Sequence, residues 1–313
     1  MSIRVAVIAD IHGNLPALEA VLADIDRQRV DGIIAAGDYI SGPRNQEVID
    51  LLRRRARWMI LGNHEERLNA YHRGAAPAAW RLAKQMAPLR WCHAHLDAET
   101  LDYLDRMPEQ VAIHLPGTAP IRVIHGSLAS ASEGLLPEHN PDVIRRALRD
   151  IDEQALVCAH YHWPWAWRVD GKLALNPGSA GNSLTGDTRA CYALLTWHGG
   201  HWEVEHRAVA YDLARLRADF VSTGFLAEGG ALARVFLRST ELARIVAGPF
   251  LRHAHHLARE AGHPPTDLVP DDVWDRAVAT FDWDAGRSRR IPHAVGDVSP
   301  CLGALCAAAD DGV

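Results

Sequence analysis

The sequence predicts an α/β fold. The N-terminal part of the chain contributes a parallel sheet, and further strands and helices follow in the sequence. Three short apolar runs, at 3–9, 32–36 and 58–61, each lead into polar residues. The two segments between them repeat apolar residues at the spacing of a helix. This order is a βαβαβ unit, which implies parallel strands joined by right-handed crossovers. Several later apolar runs are separated by turns too short to contain a helix, which favours antiparallel pairing.

The first strand and the first two helices follow directly from the apolar pattern. The run 3–9 is almost continuously apolar, as expected for a strand that is covered on both faces. Asn14 then offers a side-chain oxygen that can cap the next helix. The apolar positions of that helix recur at helical spacing: Leu15, Leu18, Val21, Leu22 and Ile25. The second helical pattern is built on Val48, Ile49, Leu51 and Leu52.

The later part of the chain changes from helix to strands and back to helix. Segment 65–107 has a helical pattern. The strand-like runs beyond it are 121–124, 155–158, 165–169, 172–175, 191–197 and 202–209. From Tyr211 onward the pattern is helical, with an apolar stripe of Leu232, Val235, Phe236, Leu242, Ile245 and Val246. We expect this stripe to cover the core, with shading of an active site or dimerisation as alternatives. The predicted regions are a main domain over 1–210, a helical extension over 211–283 and a poorly patterned tail over 284–313.

The composition excludes several classes of protein. Of the 313 residues, 48% are hydrophobic and 23% are charged, which is ordinary for a soluble globular protein. The net charge of −6 gives no basic field for a long nucleic acid. The first ten residues lack the features of a secretory signal, and no run approaches the ~20 apolar residues that cross a membrane. The five scattered cysteines argue against a disulfide framework. We therefore expect a cytoplasmic protein without a membrane partner, and homo-oligomerisation stays open.

Ligand-type side chains follow successive predicted strands. The first three strands lead to Asp10 and His12, then to Asp38, then to Asn63 and His64. Two later strands lead to further histidines: His125, His160 and His162. The carboxyl ends of strands in an open α/β sheet converge on one crevice, so we expect one site. Mixed oxygen and nitrogen donors suit divalent Mn, Fe, Zn or Ni, with Mg also a candidate. The donors are too many for one tetrahedral ion and suit two ions that share a carboxylate.

Five blocks of sequence resemble a known family, the calcineurin-like metallophosphoesterases. The blocks are Asp10-Ile11-His12-Gly13-Asn14, Gly37-Asp38, Gly62-Asn63-His64-Glu65, His125-Gly126 and Ala159-His160-Tyr161-His162-Trp163-Pro164. The resemblance covers roughly residues 1–210. Because Asn176-Pro177-Gly178-Ser179 follows the last block, the chain is most similar to the bacterial group of small phosphodiesterase-like proteins. The fold that the resemblance implies is a four-layer αββα sandwich, with two mixed sheets between outer helices and the helical extension after it.

The resemblance also implies roles for the site residues. One ion would be held by Asp10, His12 and His162, and the other by Asn63, His125 and His160. Asp38 would bridge the two ions, and His64 would lie beside the scissile phosphate without being a ligand. The expected substrate contacts are Asn14, Arg44, Tyr161 and Trp163.

The chain departs from the family pattern at two places. Ala159 replaces the usual Gly before the last histidine pair, and Tyr161 replaces the usual Thr between its members, where it can reshape the mouth of the pocket. After Gly37-Asp38 the chain lacks the Asp-Arg-Gly of the protein phosphatases. The arginine that would grip phosphate there is missing, with Arg44 as a displaced substitute at best. A protein phosphatase is therefore disfavoured.

The expected function is the hydrolysis of a small phosphate ester. An aromatic wall beside the site would also suit a nucleotide-like substrate, because a nucleobase can stack on it. The family resemblance favours a phosphodiester. We expect attack by a hydroxide that bridges two ions, with His64 assisting the leaving group. Two alternatives stay open: a scaffold that keeps the fold without catalysis, and a hydrolase of dinucleoside polyphosphates.

Other histidines and tryptophans have simpler interpretations. His93 and His95, and the cluster of His253, His255 and His256, have no carboxylates beside them at strand ends, so we expect them to be solvated or packed. Trp163, Trp165 and Trp167 alternate and therefore share one face of a strand. We expect that face to pack in the sheet, with an aromatic wall against a nucleobase or aryl group as the alternative.

Overall fold

The computed structural model describes residues 2–137 and 141–283, and two five-stranded sheets form the centre of that part of the chain. The strands are β1 (Arg4–Ile8), β2 (Gly32–Ala35), β3 (Trp58–Met59), β4 (Gln110–Ile113), β5 (Ile121–Ile124), β6 (Ala155–Val157), β7 (Pro164–Val169), β8 (Lys172–Pro177), β9 (Ala190–His198) and β10 (His201–Val209). The helices of the main domain are α1 (Leu15–Gln28), α2 (Asn45–Arg55), α3 (Asn63–His72), α4 (Ala87–Ala94), α5 (Ala98–Asp105) and α6 (Pro141–Arg149). Those of the extension are α7 (Leu213–Ser222), α8 (Phe225–Glu228), α9 (Gly230–Leu242), α10 (Ala247–Glu260) and α11 (Asp271–Thr280).

Both sheets are mixed. The first sheet has the order β10-β9-β1-β2-β3, in which β1, β2 and β3 are parallel, β9 pairs antiparallel with β1, and β10 pairs antiparallel with β9. The second has the order β4-β5-β6-β8-β7, in which β5, β6 and β8 are parallel and the two edge strands are antiparallel. The predicted βαβαβ unit and the mixed α/β fold class are therefore confirmed. The second sheet contains more parallel pairing than the short turns between its strands predict.

The two sheets pack face to face, with helices on their outer faces. In β1, Val5 and Val7 lie in the cluster between the sheets, where they meet Val123 of the second sheet. Ala6 and Ile8 point to the other side, where α1, α2 and the later helices cover the first sheet. Burial on both faces explains the continuous apolar run of this strand. The outer face of the second sheet packs on α6, which completes the predicted αββα layers.

The helical extension covers the first sheet and also forms a cluster of its own. Leu216, Phe220 and Phe225 belong to the core that covers the first sheet. The last three helices form a separate cluster around Phe250 and Trp274. The boundary predicted at residue 210 remains a prediction, and the predicted tail, with Cys301 and Cys306, lies outside the described residues.

The apolar stripe of the extension is divided between two helices. α9 ends at Leu242, and Ala243 adopts the left-handed conformation with φ 49°. The chain therefore changes direction before the last two positions of the stripe. Ile245 is consequently 47% exposed, whereas Val246 is buried in the extension's own cluster.

Two further findings concern the membrane and the cysteines. Within the described ranges, no helix combines the length and the apolar character needed to span a bilayer. Cys92, Cys158 and Cys191 are free and buried.

A buried carboxylate joins α1 to the edge of the first sheet. The Tyr192 hydroxyl donates to Asp24 Oδ2 at 2.7 Å, and Arg207 Nε donates to the same oxygen at 2.9 Å. Burial disfavours the charged form of Asp24, but the hydrogen bonds from Arg207 and Tyr192 outweigh it and hold the pKa of this carboxyl below its usual range.

We expect Asp24→Asn to lower the free energy of unfolding at pH 7 by about 1–3 kcal/mol, because a charged hydrogen-bond acceptor is lost. Since the folded pKa of Asp24 is depressed, its stabilisation is present above the unfolded pKa and is lost as pH falls through the folded value. Urea unfolding should therefore show a difference between the two proteins that shrinks in acid. Asp26→Asn on the exposed face of α1 is the control, with an expected change below about 1 kcal/mol.

Candidate metal centre

The loops that follow the strands of both sheets bring the seven predicted ligands together. Asp10 and His12 follow β1, Asp38 follows β2, and Asn63 begins α3 directly after β3. His125 follows β5, and the last histidine pair lies between β6 and β7. Six of the seven side chains are buried, and His160 is partly exposed.

One group of donors comprises Asp10, His12 and His162, whose ligand atoms all lie within 4.8 Å of one another. The Nε2 atoms of the two histidines are 3.2 Å apart. His162 Nε2 is also 3.6 Å from Asp10 Oδ1. These three residues are the set that the family resemblance assigns to one ion.

A second group comprises Asp38, His125 and His160, again with ligand atoms within 4.8 Å. Asn63 Oδ1 belongs beside it, at 3.2 Å from His125 Nε2 and 3.0 Å from His160 Nδ1. Asp38 Oδ2 is 3.3 Å from His125 Nε2 and 3.9 Å from His12 Nε2, so it faces both groups. This position suits a carboxylate that bridges two ions.

The hydrogen bonds of three histidines leave their Nε2 atoms available as metal ligands. His12 Nδ1 lies 3.1 Å from the carbonyl oxygen of Ile40, and His162 Nδ1 lies 2.6 Å from that of Asn182. His125 Nδ1 makes the same kind of contact, at 2.7 Å, with a backbone carbonyl of the loop after β2. Because a carbonyl only accepts hydrogen bonds, each Nδ1 carries the proton, and Nε2 of a neutral ring is a bare lone pair.

Unpartnered donor atoms at the centre fit a bound cation. With both rings neutral, the lone pairs of His12 and His162 face each other at 3.2 Å and repel unless a cation lies between them. Both carboxylate oxygens of Asp10 are buried without a hydrogen-bond partner among the described residues. The backbone N–H of His160 favours the charged form of Asp10 but lies outside hydrogen-bonding geometry. Buried polar atoms without partners are costly, and a divalent ion would satisfy them.

The electrostatics keep most of the ring nitrogens neutral at pH 7. Burial lowers the pKa of His160 and of His162 to about 4, and it holds the pKa of His12 well below its usual value. Burial also opposes a charge on His125, but the neighbouring carboxylate of Asp38 outweighs it and raises the pKa of His125 to about 10. In the metal-free chain, a protonated His125 therefore partly neutralises the carboxylates.

The two carboxylates shift in opposite directions. Burial raises the pKa of Asp10 well above its usual value, and Asp38 adds to this increase. Burial acts in the same sense on Asp38, but the nearby His125 and His64 outweigh it and lower the pKa of Asp38. Asp38 is thus the carboxylate that is charged before any cation binds.

The backbone is strained where the ligands are attached. Five of the seven predicted ligands adopt left-handed φ values: Asp10 (54°), His12 (47°), Asp38 (57°), His160 (70°) and His162 (59°). Such values are uncommon for residues other than glycine and concentrate at functional sites, at a cost of about 1–3 kcal/mol each. The tight turns also require a glycine, because a Cβ on Gly62 would lie 2.2 Å from Asp38 Oδ1.

Glu65 positions the loop that carries Asp38, a role that the sequence analysis did not assign. This fully buried carboxylate accepts hydrogen bonds from the backbone N–H groups of Asp38 and Gly62 at 2.9 Å each. Its other oxygen accepts from Tyr39 at 2.9 Å and from Ile40 at 3.1 Å. Burial, with a contribution from Asp38, raises its pKa to about 7. The signal in the sequence is a Glu three residues after the helix N-cap, which is half of a capping box.

His64 lies at the edge of the two donor groups, with 21% of its side chain exposed. Its Nδ1 is 2.6 Å from Ser41 Oγ, and its Nε2 is 3.9 Å from Asp38 Oδ2. Burial lowers its pKa, and the positive charge of Arg67 acts in the same direction. His64 also lies within 4.8 Å of His12 and Asp38, so distance alone does not separate it from the ligands.

Two of the four predicted substrate contacts have structural partners instead. Asn14 Oδ1 caps α1 by accepting from Ala17 N at 3.1 Å, and Asn14 Nδ2 donates to Gly181 O at 2.7 Å. The Arg44 guanidinium donates to Asp219 Oδ1 on α7 at 2.8 and 2.9 Å. These contacts indicate structural roles at both positions.

The other two predicted contacts lie beside the last histidine pair. The Tyr161 ring is 5.6 Å from the ring of His160. Trp163 Nε1 donates to Leu184 O at 2.9 Å. Trp163 and Trp167 are partly buried against the same cluster that encloses Trp165, as the packing interpretation of this face expects.

Four histidines that were expected to be packed or solvated contact another histidine, a tryptophan ring, a hydroxyl group or solvent. His93 Nε2 lies 3.1 Å from His72 Nδ1. The ring of His95 stacks on that of Trp91, with centroids 4.0 Å apart. His253 Nε2 is 2.7 Å from the hydroxyl oxygen of Thr280, and His256 is an exposed residue beside an acidic neighbour. These positions agree with the interpretation that they are packed or solvated.

Comparisons with known proteins match the main domain. The sequence profile of the calcineurin-like phosphoesterase superfamily domain matches residues 3–200. An uncharacterised protein of Methanocaldococcus jannaschii is 26% identical over 235 residues, which span 67% of this chain and 89% of that protein. The crystal structure of a metallophosphoesterase from Sphaerobacter thermophilus is 26% identical and has a TM-score of 0.57, covering 73% of this chain and 99% of its own. A hypothetical protein from Pyrococcus horikoshii shares the fold, with a TM-score of 0.61, 21% identity, and coverage of 74% and 97%.

Proposed function

The chain belongs to the calcineurin-like phosphoesterase superfamily, and from this membership we propose that it hydrolyses a small phosphate ester with two divalent ions. The observation that carries the proposal is a set of buried ligand atoms that face one another or lack a hydrogen-bond partner. The buried oxygens of Asp10 have no hydrogen-bond partner among the described residues, and the Nε2 atoms of His12 and His162 face each other. A cation bound between these atoms would satisfy all of them. We further propose a phosphodiester as the substrate and the cytoplasm as the location.

The proposed ligand sets follow the two groups of donors. Asp10, His12 and His162 would hold one ion, and Asn63, His125 and His160 would hold the other. Asp38 Oδ2 faces both groups, so Asp38 would serve both ions. Two divalent ions held there would supply positive charge for the phosphoryl oxygens and a water that reacts near neutral pH.

His64 is the proposed proton donor to the leaving oxygen. In its imidazolium form, which is the form that can act as an acid, His64 carries a proton on each ring nitrogen, and Nδ1–H donates to Ser41 Oγ, 2.6 Å away. Nε2 is the atom on the side of Asp38, where the substrate phosphate would bind. Ser41 thereby orients the ring so that the Nε2 proton faces the leaving oxygen, and the ring is neutral, with its proton on Nδ1, after the transfer.

Arg67 is the proposed contact to the substrate's phosphoryl oxygens. It lies on α3 three residues after His64, so the two side chains are on the same helical face. Arg67 is exposed, and its charge lowers the pKa of both His64 and His160. Within the part of the chain that the structure describes, the Arg67 side chain has no hydrogen bond or ion pair. Arg44, in contrast, is already paired with Asp219.

We expect Arg67→Ala to raise KM about tenfold without changing the metal content, because one charge-assisted contact to the substrate is lost. Arg44→Ala should leave KM unchanged and instead lower the melting temperature, because its ion pair with Asp219 is structural. Steady-state kinetics and thermal unfolding of both variants test the assignment. A KM that rises in Arg44→Ala and stays unchanged in Arg67→Ala would indicate that Arg44, and not Arg67, contacts the phosphate.

The experiment that tests the proposed function measures metal content and hydrolysis together. The protein is stripped with a chelator, reloaded with Mn, Fe, Zn, Ni or Mg singly, and assayed with a generic aryl phosphodiester and its monoester. We expect about two ions per chain and turnover that depends on them. Tight metal binding without turnover of either ester would favour a scaffold or a narrow substrate such as a dinucleoside polyphosphate. A chain that binds no metal would refute the proposal.

A further inference from the structure

The helical extension reaches the candidate metal centre through one aromatic side chain. Phe236 of α9 has its ring centroid 5.6 Å from that of His12 and 5.9 Å from that of His64. It meets His64 edge-on, with an interplanar angle of 68°. The residue is partly buried, so part of its surface is accessible to solvent. It also lies beyond residue 200, where the match to the superfamily profile ends.

The helix that carries Phe236 is fixed on both sides. Its Ala233 is buried in the core that covers the first sheet, and its Val235 is buried in the extension's own cluster. These contacts hold the backbone next to Phe236 in place. The Phe236 ring therefore forms part of the wall beside His64.

Polar contacts connect the end of α9 to the metal centre as well. Thr240 Oγ1 lies 3.2 Å from Asn182 Oδ1, and the carbonyl of Asn182 accepts the hydrogen bond from His162 Nδ1 at 2.6 Å. One residue past the helix, the carbonyl of Ala243 accepts from Gly186 N at 2.8 Å. The position of Phe236 is thus linked to the loop that orients a proposed metal ligand.

We propose that Phe236 is a specificity-determining residue that packs against an aromatic leaving group of the substrate. This inference rests on the proposed function, in which His64 protonates the leaving oxygen. The organic group attached to that oxygen must then lie beside His64, which is where the Phe236 ring lies. Aromatic rings favour edge-to-face and offset contacts with centroids about 4.5–7 Å apart, and the rings of His12, His64 and Phe236 already adopt this spacing.

The test uses two phosphonates that differ only in their organic group. Dissociation constants of phenylphosphonate and methylphosphonate are measured by titration calorimetry on the full chain loaded with Mn, and hydrolysis of an aryl phosphodiester is measured separately on the same protein. We expect wild type to bind phenylphosphonate more tightly. Phe236→Ala should weaken phenylphosphonate about three- to tenfold and leave methylphosphonate unchanged, which is the effect of one aromatic contact.

Two further variants separate recognition from folding. Phe236→Tyr keeps the ring and should restore the preference for the phenyl compound. Phe281→Ala removes a ring of the extension's own cluster that contacts Phe250 and Trp283, and it should leave the preference intact. Metal content is measured for every variant.

The outcomes distinguish the inference from the proposed function. Normal hydrolysis with the same phenyl preference in Phe236→Ala and wild type would overturn the role of Phe236 alone. Equal weakening of both phosphonates in Phe236→Ala would also overturn it, because it would indicate a structural role. Metal-loaded wild type that neither hydrolyses the diester nor binds either phosphonate would refute both proposals together.

Discussion

Asp38→Asn is expected to lower hydrolysis at least about a hundredfold and to weaken the binding of both ions. Asp38 Oδ2 lies 3.3 Å from His125 Nε2 and 3.9 Å from His12 Nε2, so one oxygen serves both groups of donors. A neutral amide cannot balance two divalent cations, and each loss of about 1.4 kcal/mol lowers an equilibrium or rate tenfold. Asp38 is also the carboxylate whose pKa the site depresses.

Asparagine tests this role more cleanly than alanine does. Asp38 has φ 57°, and asparagine tolerates the left-handed conformation better than alanine. The amide can also keep an oxygen to accept the hydrogen bond that His64 N donates to Asp38 Oδ1 at 3.0 Å. Asp170→Asn is the matched control, since this exposed residue has φ 50° in the turn between β7 and β8.

Elemental analysis after dialysis, together with kcat for an aryl phosphodiester, measures both effects. The control should retain the metal content and turnover of wild type. An Asp38→Asn protein that still holds two ions and turns over normally would contradict the bridging role. Circular dichroism shows whether Asp38→Asn keeps its secondary structure. If it does not, the same measurements are made on Asp38→Glu.

The early part of the fold was predictable because its signals are local. β1 is buried on both faces, so Val5 to Ile8 are all apolar, and the chain becomes polar only at Asp10, where it enters the site. The same change from apolar strand to ligand occurs after β2 and β5. A ligand at the end of a buried strand is therefore visible in sequence without knowledge of the partners.

Elements with weak local signals were missed. α6 buries only Ile144, Ala147 and Leu148, so its apolar face is short. β4 is a four-residue edge strand whose first residue is exposed and whose next two are partly buried. Without α6, the crossover between the parallel strands β5 and β6 was not visible, and antiparallel pairing was overestimated for this sheet.

The parts of the site that sequence could not predict depend on contacts between distant segments. Nothing near Arg44 in sequence shows that Asp219 of α7 pairs with it, whereas Arg67 stays unpaired within the described residues. An acidic residue in the first turn of a helix, such as Glu65, is ordinary, and only its four backbone hydrogen bonds show its role. The sequence pattern places Phe236 in an apolar stripe of the extension. Its contacts with His12 and His64, which lie far away in the sequence, are visible only in the structure.

His64→Ala is expected to lower turnover about 10²–10⁴-fold while the protein keeps its metal ions, because a positioned general acid contributes an effect of this size. His64 is bound to Ser41, and its Nε2 faces the site from the edge of the donor groups. The predicted loss should depend on the leaving group. A poor leaving group such as an alkoxide needs the proton, whereas p-nitrophenolate departs with little assistance, so the defect should be far smaller for the aryl ester.

This dependence on the leaving group separates an acid from a ligand. His64 lies within 4.8 Å of His12 and Asp38, and a ligand role predicts lost metal and an equal defect for every ester. His72→Ala at the end of the same helix is the matched control, because His72 contacts His93 rather than the site. Metal content and a series of diesters with leaving groups of increasing pKa, measured on both variants, decide between the roles. Metal loss in His64→Ala, with a flat dependence on the leaving group, would make His64 an additional ligand and leave the proton donor to another group.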